Sequence, residues 1–475
     1  RGLAKAAEIL AGQFTLVATN VPYLGIRKQC ETLKKFVTTY FSDAKECLST
    51  VFCARMSQWL NKTTMAVVTP QNWFYQFRYR NHRTTVLENE SIQLIARLGE
   101  GGFESSQAAG AFAALSIITC SIPNDATVIR AIDASEPRHP GEKADILGVG
   151  EIKDVAQKSQ LSNPDARISL ERPNTGRLLN EFVVTAQGIK TGDDNLWVRC
   201  FWEMSLLGLH WRTYQTSTQT SKPYAARSWI INWETKGEGM VRPRTDSPVV
   251  GKIGVVASAM REISVTIYSG DLHYSLATPL IPLNPAHLSA IWAFCSSRSY
   301  NKAVREIEQN IAVTTDTLAK VPFDLAHWQK VATEKYPHGL PKPSSSDPTQ
   351  WLFSGHPAGA DQPLQVAVAR LLGYQWPRQT GSSFPDCPAL APDGLGALAD
   401  DDGIVPISPV KAEGSAAERL RELLARAYGK DWNATQQQEL LAQVDCAGAT
   451  LEDWLRNTFF EQHCKLFHNR PFIWH

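Results

Sequence analysis

Phe14-Thr15-Leu16-Val17-Ala18-Thr19, running straight into Asn20-Val21-Pro22-Tyr23, is the stretch on which the fold turns. An apolar, β-branched run of strand length that stops at an amide, a proline and an aromatic ring reads as a buried-type strand ending in a turn. Downstream, Asp43 to Leu60 sets Ala44, Cys47, Leu48, Val51, Phe52, Met56 and Leu60 on one helical face. Met65 to Thr69 is a second strand stopped by Pro70, Phe74 to Leu87 follows as a helix, and Ile92 to Leu98 and Gly110 to Cys120 complete two more strands. Strand, helix, strand, helix and two adjacent strands predict an open α/β sheet closing in a hairpin. Ligands of such sheets bind outside the carboxyl ends of the strands, so Asn20 and Tyr23 are expected to face a cleft.

Working outward, the 475 residues allow several domains with ample core, and 43% hydrophobic against 20% charged residues excludes a wholly disordered chain. The longest nearly uncharged small and apolar run, 108–122, falls short of the roughly 20 residues of a membrane helix, so no membrane association is expected. Lys plus Arg total 48 and Asp plus Glu 47, but the balance is uneven: residues 1–150 and 151–330 each carry a net +3, and 331–475 a net −5. An anion-binding face is therefore expected in the first two thirds. Nine cysteines without a C-x-x-C pair argue for reduced thiols and a cytoplasmic protein, not a disulfide scaffold.

The organisation read from the sequence is an open α/β segment over 1–125, a polar connector over 126–165, a strand-rich α+β module over 166–332 with a helix near Ala303 to Asn310, a proline-rich linker over 333–363 and a mainly helical region over 364–475. In the last of these, Ser415-Ala416-Ala417-Glu418 is a capping-box pattern ahead of Leu420, Leu423 and Leu424, with Gly429 as the stop. The ends, Arg1-Gly2-Leu3 and Pro471-Phe472-Ile473-Trp474-His475, read as those of a fragment of a longer protein.

Asn20 to Gln29 (NVPYLGIRKQ), Val67 to Phe74 (VVTPQNWF), Ile95 to Phe103 (IARLGEGGF) and Thr191 to Asn195 (TGDDN) together resemble the C-terminal part of large adenine-specific DNA methyltransferases of the Asn-Pro-Pro-Tyr family. Enzymes of this kind occur in type II restriction-modification and in BREX and DISARM phage defence. The resemblance implies the C-terminal half of a Rossmann-like methyltransferase sheet, then an α+β target recognition domain and a helical tail. It also implies S-adenosylmethionine as methyl donor, double-stranded DNA as partner, an N-terminal part of the same protein, further defence-system subunits, and no metal. The alternatives are a DNA-binding specificity module whose methylation site is lost or incomplete, and part of a fused restriction-modification enzyme.

An exocyclic adenine amine is a poor nucleophile because its lone pair is delocalised into the ring. The resemblance assigns the acceptors for its hydrogens to the Asn20 side chain and the Val21 carbonyl, with Pro22 restricting Val21 to extended geometry and Tyr23 stacking on the base once it leaves the duplex. Val21 stands where the family's commonest form has proline; the carbonyl is kept and the φ restraint is lost. Phe103 matches the family's second aromatic against the base, or closes the hairpin as core. The glycine-rich turn and acidic residue that hold the donor in the family have no counterpart here, and Gly99-Glu100-Gly101-Gly102 follows the wrong strand. Methylation by this segment alone is therefore not expected.

Two basic, aromatic stretches are the candidates for DNA contact: Arg78, Arg80 and Arg83 among Phe74, Tyr75, Phe77 and Tyr79, and Arg212, Lys222, Arg227, Arg242 and Arg244 among Trp211, Tyr214, Tyr224 and Trp229. An amphipathic helix that solvates its arginines is the competing reading of the first.

Overall fold

The structure is a computed structural model that describes residues 2–12, 14–59, 63–104, 110–170, 176–204, 210–260, 262–382, 384, 387–411 and 413–474. It has a mixed α/β fold in two compact units, one of residues 1–179 with 301–323 and the other of 180–300 with 324–475.

The first unit opens with helix α1 (Gly2–Ala11) and the predicted strand β1 (Leu16–Asn20), followed by α2 (Glu31–Tyr40) and α3 (Leu48–Trp59). Leu60, expected on the last turn of α3, lies outside the described residues. Strand β2 (Thr64–Pro70) buries Met65, Val67 and Thr69 at every second position, the period of a half-covered strand. The helix expected from Phe74 begins later: two short 3-10 turns precede α4 (Arg80–Asn89), because Trp73, Phe74, Tyr75 and Tyr79 all go into the core and cannot share one helical stripe. Strand β3 (Ser91–Gly99) then pairs with β4 (Ala113–Thr119).

The segment 126–165, expected as a connector, belongs to the sheet. It contributes β5 (Val128–Asp133), helix α5 (Pro140–Val149) and β6 (Lys153–Ala156), giving the order β1-β2-β4-β3-β5-β6. β1 pairs in parallel with β2 and β3 with β5, while β4 runs antiparallel to both β2 and β3. The carboxyl ends of β1, β2, β3 and β5, at Asn20, Pro70, Gly99 and Asp133, therefore share one edge of the sheet. β1 is the terminal strand, and among the described residues it pairs only with β2. Two buried polar side chains from the supposed connector fasten this arrangement. Lys143 donates to the carbonyls of Leu98 and Ala134, and Gln157 joins the carbonyls of Leu87 and Glu90 to the amide of Ile92.

Residues 301–323 also belong with this unit rather than with the strand-rich module. The Leu179 and Phe323 amides donate to the carbonyls of Val321 and Arg177, and Gln71 Nε2 reaches Gln309 Oε1 at 3.2 Å.

The second unit holds two four-stranded sheets. One is β13 (Leu272–His273), β9 (Trp211–Gln215), β10 (Trp229–Asn232) and β8 (Val198–Cys200); the other is β12 (Val265–Tyr268), β11 (Gly254–Ser258), β14 (Ala277–Pro282) and β7 (Val183–Thr185). Its helices include Leu288–Cys295, Leu325–Lys335, Pro363–Leu371 and Ala416–Tyr428, the last with N-cap Ser415 and Glu418 in the expected capping box and Gly429 as C-cap. The expected linker over 333–363 is packed here. Trp351, Leu352 and Phe353 lie in one core with Trp202, Ile230, Leu420, Leu441 and Trp454, so strands and helices form a continuous apolar body. Its prolines deny it regular ladder bonds, not burial. Among the described residues no helix is long and apolar enough to cross a membrane.

Candidate active site

The loop after β1 is held from two sides. The Val21 amide donates to the Val68 carbonyl at 3.4 Å, continuing the ladder with β2, and the Val21 side chain is 3% exposed. Farther on, Leu48 N–H donates to the Leu24 carbonyl and Ile26 N–H to that of Glu46, both at 3.0 Å, while Gln29 Nε2 closes the turn on Leu24 O at 3.1 Å. Between these anchors Asn20, Pro22 and Tyr23 are exposed. The Asn20 amide group makes no side-chain hydrogen bond among the described residues. Tyr23, 37% exposed, has its hydroxyl pushed up to about 12 by partial burial and, less, by nearby Cys47. A neutral, partly sheltered phenol on the same exposed loop as an unclaimed amide suits a flat polar ring.

The register accounts for a second unclaimed acceptor. In a parallel ladder a residue whose amide reaches j−1 has its carbonyl facing the amide of j+1. Val21 binds Val68, so its carbonyl faces position 70, which is Pro70 and has no N–H. Pro70 is in β2, still pairs with Ala113 of β4, and is followed by Gln71, whose amide donates to Phe112 at 2.9 Å. The ladder is thus interrupted only on the β1 side. Sequence reading took Pro70 as a strand stop and missed this role, because it depends on the register of two strands far apart in the chain.

Phe103 is half-buried against Leu98, Ala113 and Ala134, with Val68 also on that cluster. The glycine loop before it serves chain packing. Gly99 and Gly101 have φ of +62° and +76°, and a Cβ on Gly101 would lie 2.1 Å from the Arg138 carbonyl oxygen. Close-packed against backbone, the loop is no open cradle and does not fit a methyl donor.

The proposed DNA contacts separate into two groups. Arg83 is fully buried, donating to the carbonyls of Trp73, Gln76 and Asp165 at 2.7 Å each and of Ala166 at 3.3 Å; burial lowers it to about 9. It braces the turn in which Asp165 and Ala166 hold φ of 55° and 52°, and cannot reach DNA. Arg227 is likewise fully buried, with Nη2 on the Ile267 carbonyl at 3.1 Å. Both depart from expectation because a guanidinium can exchange water for several carbonyls. Arg78, Arg80, Arg212, Lys222 and Arg244 are exposed, Arg78 lying over the Tyr79 ring at 4.9 Å and Arg244 donating to Gln187 Oε1 at 2.6 Å. Arg242 is half-buried, with Nε on Gly188 O at 3.2 Å. Lys222 lines an open polar cavity of about 830 Å³ in the second unit with Thr216, Tyr224, Trp229, Lys342 and His468. There the Trp229 and His468 rings stack at 16° and the Arg470 guanidinium lies 5.3 Å from the Trp229 ring.

Residues 4–103, the segment that carries the Asn20–Tyr23 loop and β1 to β3, match the family described as Eco57I restriction-modification methylase. That part of the chain is similar to restriction-modification methylases. Adenine-specific methyltransferase PglX of Lacticaseibacillus casei (strain Zhang) is 33% identical over 106 residues, which are 22% of this chain and 9% of that protein. Among solved structures, the chain is similar to the Type IIL restriction-modification enzyme MmeI in complex with DNA, at 11% identity and TM-score 0.42 over 95% of this chain and 57% of that one. It is also similar to a nuclease-deletion mutant of the Type ISP restriction-modification enzyme LlaGI in complex with a DNA substrate mimic, at 12% identity and TM-score 0.43 over 72% of this chain and 43% of that one. The chain thus spans less than two thirds of the length of each of these relatives.

Proposed function

We propose that the chain supplies the target-base side of a site-specific N6-adenine DNA methyltransferase, on the C-terminal half of a Rossmann-like sheet. The observation that carries the reading is the pair of acceptors at the carboxyl end of β1, the Asn20 side-chain oxygen and the Val21 carbonyl, unclaimed among the described residues, with Tyr23 exposed on the same loop. An adenine extruded from the duplex stacks on Tyr23, and the two oxygens accept its two N6 hydrogens. That alignment localises the nitrogen lone pair and points it away from the acceptors. The gain comes from positioning. Pro22 keeps Val21 extended, and the anchors at Val68, Glu46 and Gln29 hold the loop without a prior proline at 21.

S-adenosylmethionine supplies the electrophilic methyl in such a reaction. The donor would be held by polypeptide beyond this segment, for which the outer edge of β1, paired only with β2 among the described residues, offers a docking strand. In the second unit, the polar cavity with Lys222, Tyr224 and the Trp229–His468 stack, together with exposed Arg212 and Arg244, is suited to target recognition: cations for phosphates and hydroxyls and amides for base edges. Arg78 and Arg80 are exposed cations of the first unit suited to phosphates.

The test is methyl transfer from labelled donor to DNA by the complete protein, with Asn20→Ala alongside. Loss of about tenfold or more in the variant is expected. Undiminished methylation in Asn20→Ala would end the assignment of Asn20, and a complete protein that leaves adenine unmodified would end the reading.

A further inference from the structure

On the same carboxyl edge of the sheet, the first unit contains a cavity of about 310 Å³ lined by Tyr75, Arg97, Asn163, Arg167, Glu306 and Lys320, among others. Two of its cations are buried, Arg97 at 7% exposure and Arg167 at 5%. Their counter-charges are loose. Arg97 Nη1 is 3.8 Å from Asp133 and Arg167 Nη2 is 3.6 Å from Asp165. The other carboxylates nearby are already engaged: Asp165 and Asp316 each receive Lys320 Nζ at 2.7 Å, Glu306 is met by Lys302 at 3.7 Å, and buried Glu308 accepts from the backbone and hydroxyl of Thr314. Arg97 Nη2 and Arg167 Nε have no hydrogen-bond partner among the described residues. Two buried guanidiniums, each with an unused donor and a distant counter-ion, are costly in a bare protein. The guanidiniums line the cavity, and Arg97 Nη2 and Arg167 Nε, closed to solvent as they stand, gain a partner by turning toward an anion with several acceptor oxygens there.

The methyltransferase reading supplies the anion's source. Asn20, Val68, Leu115 and Ala96 are successive partners in one row across β1, β2, β4 and β3, and Arg97 follows Ala96. Three strand spacings put the Arg97 backbone about 14 Å from that of Asn20 across the sheet, with its side chain on the opposite face, in the row of Thr69 and Ala114. We propose that Arg97 and Arg167 grip one phosphate of the bound DNA backbone in this cavity. The identification of the anion as a DNA phosphate rests on the methyltransferase reading; the affinity of the cavity for an anion does not. Lys320, held by two aspartates, steadies Arg167 through its carbonyl, which Arg167 Nη1 approaches at 3.4 Å.

The experiment is binding of a random-sequence DNA duplex by the chain, followed by fluorescence anisotropy across a salt series, for wild type, Arg97→Met, Arg167→Met and the exposed control Lys5→Met. Each cavity variant is expected to weaken binding and to reduce the slope of log K against log salt by about 1, while Lys5→Met leaves it unchanged. Wild-type slope and affinity in both cavity variants would overturn the proposal. Should either variant fail to fold, the wild type decides: its melting temperature in millimolar phosphate should exceed that in chloride of equal ionic strength, and no difference would overturn it. A wild type stabilised by phosphate that does not bind the duplex would make the cavity a free-phosphate site and would count against the methyltransferase reading itself. Wild-type DNA binding with unaltered variants would remove only the cavity's part in it.

Discussion

Replacing Pro70 by alanine adds a single N–H at the one position of β2 that faces the Val21 carbonyl. The new amide extends the β1–β2 ladder by one bond, a net gain of about 1 kcal/mol. Loss of the proline ring costs about 0.4–1 kcal/mol through the freer unfolded chain, so the two nearly cancel and the melting temperature should scarcely move. Function should respond differently. A carbonyl has two lone pairs, and the ladder bond engages one and draws the oxygen toward β2, weakening the acceptor proposed for the N6 hydrogen. A loss of about 1.4 kcal/mol in the transition state lowers the methylation rate about tenfold. Single-turnover methylation by the complete protein reads that loss, expected in kcat more than in KM. Hydrogen exchange at position 70 reads the cause, a newly protected amide. A protected amide with an undiminished rate would refute the catalytic use of the Val21 carbonyl. A rapidly exchanging amide would refute the register argument.

Tyr23→Ala should weaken capture of the extruded base by about 1–3 kcal/mol; 2-aminopurine at the target should brighten less than with wild type, and an identical fluorescence response would exclude stacking on Tyr23. Arg83→Met removes the donors to four carbonyls and should destabilise the first unit by about 3 kcal/mol or more in urea unfolding, with no change in the salt dependence of DNA binding; a reduced salt slope in a folded variant would return Arg83 to the DNA surface. His82, buried beside Trp73, is lowered to about 4, mainly by burial and then by Arg83. The folded protein resists protonation that the unfolded chain accepts below about 6.5. This contribution of about 3 kcal/mol is therefore full above that pH and lost progressively as pH falls toward and through 4. Unfolding of His82→Phe between pH 7 and 4 should show a correspondingly shallower loss, and an unchanged profile would remove His82 as its source.

The strands of the first unit were legible because their signal is local. Leu16–Asn20, Thr64–Pro70, Ser91–Gly99 and Ala113–Thr119 lie within a few residues of the apolar runs that predict them. The segment from 126 to 165 was not, because β5 and β6 are short and flanked by prolines and charges. Their place comes from pairing with β3 and from the buried Lys143 clamp, neither visible in a window of sequence. Residues 301–323 belong with the first unit through long-range bonds to Arg177, Leu179 and Gln71, which no composition change marks. At the site, the Asn-Val-Pro-Tyr loop was readable as residue types after a strand. The buried roles of Arg83 and Arg227 were not, since a charged side chain in an aromatic stretch carries no sign of whether water or carbonyls will surround it.

The parity of β1 has a practical consequence. Its odd residues give their amides and carbonyls to β2: Thr15 accepts from Thr64 and Val21 donates to Val68. The even residues Leu16, Ala18 and Asn20 turn theirs outward, and Leu16 adds an exposed apolar side chain. Such a margin is adhesive toward any extended peptide, including a misfolded copy of the same chain. A purified segment would then be kept monomeric by whatever masks that margin, and a proline at position 18 would blunt it without touching the bonds to β2, at the expense of any strand meant to dock there.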